Sequence, residues 1–137
     1  MQDYLYSVIG FIAIAVHLII NYKLMFHPKN GSIGKADKMY RRLMLSVLAY
    51  YITDAMWGVL AGLNWIPLLF ADTTLYYVAM CSAIVYYFGY IVEYLEMKNW
   101  RGRLFIYIGN IFITLEAIFL VVNFFLFWYM LNPFYLF

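Results

Sequence analysis

Charge is scarce in this chain. Of its 137 residues only 12% are Asp, Glu, Lys or Arg, whereas 67% are hydrophobic and 23% aromatic. That balance excludes an ordinary water-soluble domain, because one core of this size could not hide so much apolar surface; a bilayer hides it without a core. Cysteine is almost absent. The single Cys81 excludes an internal disulfide framework, and its apolar setting reads as a packing thiol rather than a reactive one. The N-terminus also lacks the charged segment and small-residue cleavage site of a secretory signal, so the first apolar run is expected to remain as a helix.

What the chain has instead is four apolar runs, each near the roughly 20 residues that a helix needs to cross a hydrocarbon core. They fall near residues 4–26, 43–65, 73–97 and 104–130. The expected fold is all-α, a polytopic membrane bundle of four helices forming one domain. Basic loops join the first pair, over 27–42, and the last pair, over 98–103, while the middle connection "IPLLFAD" and both ends carry no cation. All nine Lys and Arg residues therefore fall on one side. The positive-inside rule makes that side cytoplasmic and, with four spans, both termini external. The expected location is the cytoplasmic (inner) membrane, with the lipid bilayer as the first partner.

Topology alone accounts for the basic loops, and no nucleic-acid partner is expected. The "NGS" triplet at Asn30 to Ser32 falls on the cytoplasmic side of this topology, where a glycosylation signal has no meaning. "GSIGKA" at Gly31 to Ala36 lacks the spacing and hydroxyl of a phosphate-binding loop.

A charge at the centre of a membrane helix costs at least about 2.5 to 3.5 kcal/mol, so an embedded ionisable group should face protein or water and have a partner. Three stand near mid-span, namely His17, Asp54 and Glu116. Each belongs to a polar or small-residue face at helical spacing. Ser7, Gly10, His17 and Asn21 form one in the first span; Ser46, Tyr50, Asp54, Gly58 and Ala61 form the second. Ser82, Tyr86, Gly89, Glu93 and Glu96 follow in the third, and Gly109, Glu116 and Asn123 in the fourth. Gly58, Gly62, Gly89 and Gly109 would allow close helix approach. His17, Asp54, Glu116, Tyr50, Asn21 and Asn123 are the candidate intramembrane site, read either as a knot that fixes helix register or as a site for a proton or small ligand. With two carboxyls and one imidazole and no cation at that depth, at least one acid is expected to keep its proton.

Other chemistry is thin. His17 and His27 differ in depth by about 15 Å on one helix and could not share a haem. No Cys/His metal set and no constellation of nucleophile, base and orienter is visible, so no metal, no cofactor and no catalytic residue is expected. In each of the pairs Tyr50/Tyr51, Tyr76/Tyr77 and Tyr86/Tyr87 one hydroxyl could reach the interior, where it needs a partner.

Three blocks carry a resemblance: "VHLIINY" at Val16 to Tyr22, "RRLMLSVLAYYITDAMWGVLAG" at Arg41 to Gly62 and "IPLLFADTTLYYVAM" at Ile66 to Met80. They resemble the N-terminal membrane region of signalling proteins of gut and rumen Firmicutes and relatives, where it precedes a cytoplasmic GGDEF diguanylate cyclase domain. The resemblance implies a sensory input region controlling cyclic di-GMP synthesis, a homodimer and an unknown small ligand. The family's region has more spans, about seven, and this sequence has four and no GGDEF motif. It is therefore expected to be a fragment of a longer receptor, or a stand-alone chain acting through a partner. A small proton-coupled transporter or channel, and a structural membrane subunit, are the alternative readings.

Overall fold

The computed structural model describes residues 2–26 and 34–131. They form four helices: α1 (Gln2–Phe26), α2 (Lys35–Gly62), α3 (Ile66–Tyr94) and α4 (Trp100–Leu131). Each is long and apolar enough to cross a membrane. Each helix begins before its apolar run, while α2 and α3 end short of theirs, at Gly62 and Tyr94. α2 starts at Lys35 rather than near residue 43, so Lys38, Arg41 and Arg42 lie on a helix and not in a loop. Straight-chain cations are good helix formers, and the helix keeps its backbone paired where the apolar pattern stops. Lys29, His27 and the "NGS" triplet lie outside the described residues.

The middle connection also differs from the expectation. "IPLLFAD" is not a loop but the opening turns of α3. α2 is closed by Asn64, which takes the left-handed conformation at φ 55°. Its N–H reaches the Ala61 carbonyl at 3.1 Å, and the Trp65 N–H reaches Leu60 at 3.3 Å. These two bonds satisfy carbonyls that the helix end leaves orphaned, and Asn tolerates the left-handed region better than most side chains. Pro67 then sits in the first turn of α3, where its missing N–H costs nothing. Three residues suffice for the turn. α3 ends in the same way: Glu96 has φ 48°, its N–H meets Glu93, and the Met97 N–H meets Val92.

α1 packs on α2, α2 on α3, and α3 on α4. No other pair packs to a comparable extent among the described residues, so the helices form an open row. Neighbours are antiparallel. Three seams hold the row, each of different chemistry.

Between α1 and α2 the backbones come very close: a Cβ on Gly10 would lie 2.7 Å from the Ala55 Cβ and 2.9 Å from its Cα. The α1 residues that are buried, Ser7, Gly10, His17 and Met25, share the α2-facing side. The α2–α3 seam is built of tyrosines and carboxyls. The α3–α4 seam is aromatic, with Phe70 stacked on Phe127 at 4.0 Å, Tyr77 edge-on to Phe119 and Phe88 against Phe105. Gly109 of α4 makes room there for Phe88. Several hydroxyls are satisfied at home. Thr53, Thr73, Thr74, Ser82 and Thr114 each donate to a carbonyl one turn back on their own helix, which suits surroundings without water.

Candidate functional site

Register decides which polar residues meet. Around the turn at 63–65, α2 and α3 run antiparallel, and Tyr50 faces Tyr76. Their rings are 4.9 Å apart, and the Tyr76 hydroxyl donates to that of Tyr50 at 3.3 Å. One helical turn nearer the connection lie Asp54 on α2 and Asp72 on α3, each four residues from its tyrosine. The same register sets these two carboxyls against each other, close enough to interact electrostatically.

Asp72 is 8% exposed, and its Oδ2 has no hydrogen-bond partner among the described residues. That is unusual for a buried charge-bearing group, whose desolvation is normally offset by bonds. Asp54 is half-buried. The carboxyl pair lies about 9 to 12 Å from the turn, counting 1.5 Å per residue back to Gly62 and Ile66. No Lys or Arg among the described residues shares that level.

His17 does not belong to this cluster. Its Nε2 donates to the Met44 carbonyl at 3.1 Å, its ring meets Tyr51 edge-on at 5.6 Å, and Asn21 donates to the His17 carbonyl at 3.1 Å. Met44 is ten residues from Asp54, so His17 sits about 15 Å along the row's long axis from the carboxyl pair. Asn21 lies one turn further away. At Asp54's level α1 offers Gly10, as its contact with Ala55 shows.

Glu116 is separate as well. It lies beside Cys81 of α3, nine residues from Asp72, and its Oε1 is buried without a hydrogen-bond partner among the described residues. Asn123 is half-buried two turns along α4. The expectation that His17, Asp54 and Glu116 share one depth holds only for two of them: His17, at Met44, and Glu116, near Cys81, lie at about one level but on helices at opposite ends of the row, and Asp54 lies about 13 to 15 Å away along its axis. Of the packing glycines, Gly58 is buried in α2, Gly89 makes room for the Met39 thioether and Gly109 for Phe88. Gly62 lies at the half-buried end of α2.

A line of rings joins the whole row. His17, Tyr51, Tyr50, Tyr76, Tyr77 and Phe119 follow one another at centroid distances of 5.6, 5.5, 4.9, 5.5 and 6.2 Å, passing through all four helices. Such edge and offset contacts favour rigid packing.

At the other end of the hairpin, Arg42 lies over the Tyr86 ring at 6.0 Å, and an open cleft of about 490 Å³ is lined by Lys35, Val92, Glu93, Glu96, Met97 and Lys98. Its charges are mixed in sign. The described cations all gather at this end of the row, because it holds the end of α1, the start of α2, the end of α3 and the start of α4.

Asp72 is the residue that sequence reasoning missed. Placed in a connection, it was not weighed as an embedded group. A signal was present: Asn64 and Pro67 mark a tight turn and a helix start, which puts Asp72 inside α3 and makes the Asp72/Tyr76 spacing mirror Tyr50/Asp54. No protein-family model, no curated protein and no solved structure matches the chain.

Proposed function

We propose that the chain is a membrane-embedded sensory input module of a bacterial signalling protein, similar to the region that controls a cytoplasmic diguanylate cyclase. Its four helices cross the cytoplasmic membrane, with the Lys- and Arg-rich end in the cytoplasm and residues 2 and 131 towards the outside. The outward faces of the helices, where apolar residues such as Ile19, Ile20, Leu115 and Phe125 are exposed, support insertion. Cysteine-accessibility labelling on each side of the membrane tests it; equal labelling of positions at both ends from one side would overturn the topology.

The observation that carries the input role is the Asp54–Asp72 pair. Asp72 lies buried between two helices with an oxygen that meets no donor among the described residues, so a ligand or proton that supplies one also changes how the helices pack. That gives a signal the differential binding energy it needs to shift a conformational equilibrium. When the chain is expressed with the reading frame that follows it, Asp54→Asn is expected to change cyclic di-GMP output several-fold at equal membrane abundance. Unchanged output with reduced abundance would assign the pair to assembly instead.

The same pair favours a second reading, a proton-coupled transporter, since an embedded carboxyl without a cation is what such proteins use. Uptake by proteoliposomes holding this chain alone, abolished in Asp54→Asn, would select transport over sensing.

A further inference from the structure

The two edges of the row differ in what they turn outward. On α1 every exposed residue between Leu5 and Ile20 is apolar, a face that lipid covers without help. α4 is different. Between Leu104 and Phe127 its polar side chains fall into two sets: Glu116 and Asn123 are half-buried, whereas Tyr107, Asn110 and Thr114 are all exposed. At 3.6 residues per turn the exposed three stand about 100 to 160° round the helix from Gly109, the position that meets Phe88 of α3. They share one face with Ala117 and Val121, which are exposed as well, and the five recur at separations of three, four, three and four.

Asn110 lies ten residues into α4, about 15 Å from the helix start, and so within the apolar stretch and not at its rim. Its backbone carbonyl accepts from the Thr114 hydroxyl at 2.9 Å, but its side-chain amide has no hydrogen-bond partner among the described residues. An amide left in that state in hydrocarbon is costly, because it has lost water and gained no bond. The amide also defines its occupant. It carries donor and acceptor together, so it is complementary to a second amide. Two copies inserted with one topology set α4 parallel to its counterpart, and a two-fold axis along the membrane normal brings each residue to the depth of its own copy. The alternation of three and four is the spacing of a parallel helix pair, in which a single polar Asn fixes the register.

We propose that the outer face of α4 is a dimer interface, pairing with α4 of a second copy of the chain along Tyr107, Asn110, Thr114, Ala117 and Val121, with the two Asn110 amides bonded to each other. Ala117 lets the two helices approach closely. α4 then stands between α3 on one side and its own copy on the other, and the two rows join edge to edge with each α1 outermost. The inference rests on the reading of these helices as membrane-spanning, which labelling tests separately.

Disulfide cross-linking in lipid vesicles tests the interface. In a Cys81→Ser background a Thr114→Cys chain carries one cysteine, so any disulfide it forms joins two copies at that position. Mild oxidation is expected to link most of this chain as a dimer and little of a Leu115→Cys chain, whose cysteine lies about 100° further round the helix. Asn110→Leu, which suits a lipid-facing position, is expected to weaken dimerisation about three- to thirtyfold, read by energy transfer between labelled copies in vesicles. Asn110→Gln keeps an amide and should retain most of the pairing. Equal linking at positions 114 and 115 overturns the proposal by showing chance collision, and pairing unchanged in Asn110→Leu overturns it by showing that another face is used. A chain that inserts with the topology described but stays monomeric overturns the dimer alone and leaves the membrane reading intact.

Discussion

α2 and α4 are built for opposite tasks from similar lengths of chain. α2 is the least apolar of the four helices and α4 the most, yet α2 buries Leu43, Thr53, Ala55, Gly58 and Leu60. Among the described residues of α4 only Gly102 and Gly109 are buried. In a water-soluble domain the order would be reversed. Where lipid is the solvent, apolar surface needs no protein cover, and helices gather around small residues and polar groups. The helix with two protein neighbours therefore carries the carboxyl, the tyrosines and the close approach, while the helix with one carries a surface of Ile, Leu, Val and Phe.

The contrast can be broken most forcefully at Gly10. A Cβ there meets the backbone of Ala55, which cannot step aside, so Gly10→Val is expected to cost about 3 kcal/mol and to detach α1 in thermal unfolding in detergent. A melting temperature equal to the parent's would show that the α1–α2 seam is not as close as described. Gly109→Val makes the same change on α4. There the nearest atom is Phe88 Cδ2, at 3.3 Å from the added Cβ, and a side chain can yield, so the expected cost is nearer 1 kcal/mol. If the two substitutions prove equally damaging, the difference between the helices is not one of packing.

Smaller effects sharpen the picture within α2's second seam. Tyr50→Phe and Tyr76→Phe each remove the single hydroxyl contact between the rings. A double-mutant cycle is expected to give a coupling of about 0.5 to 1 kcal/mol; strictly additive losses would mean that the hydroxyls do not bond. Least of all, Glu96→Gly relieves a left-handed residue at the end of α3 and should stabilise the chain by about 0.5 kcal/mol, the relief being partly offset by the greater freedom of glycine when unfolded. A measured loss would show that the Glu96 side chain, at the rim of the charged cleft, holds something there.

Much of this architecture was legible beforehand because the membrane criterion is blunt: long apolar runs separated by Gly, Lys and Arg give helix number and approximate position. Residue depth within a run was legible too, but neighbour order and register were not. His17, Asp54 and Glu116 stand near the middle of their runs, and only the helix order and the registers set by Gly10 against Ala55, Tyr50 against Tyr76 and Tyr77 against Phe119 show that the three do not meet. Tyr50 and Asp54 were read correctly as one face of α2. Their counterpart face on α3 was hidden by the assumption that a helix starts where the cations and acids end, whereas Asn64 and Pro67 begin α3 earlier and enclose Asp72.

The three-residue turn between α2 and α3 has a mechanical consequence. Leu63, Asn64 and Trp65 pin the two helices together at one end, so the pair can open only as tongs do. The carboxyl pair grips about 12 Å from that pivot, while Lys35, at the far end of α2, lies about 40 Å away at 1.5 Å per residue. An angular change started between Asp54 and Asp72 is thus enlarged roughly threefold where Lys35, Glu93 and Lys98 line their cleft, which makes the charged end of the hairpin the place to look for motion and the acidic pair the place to cause it.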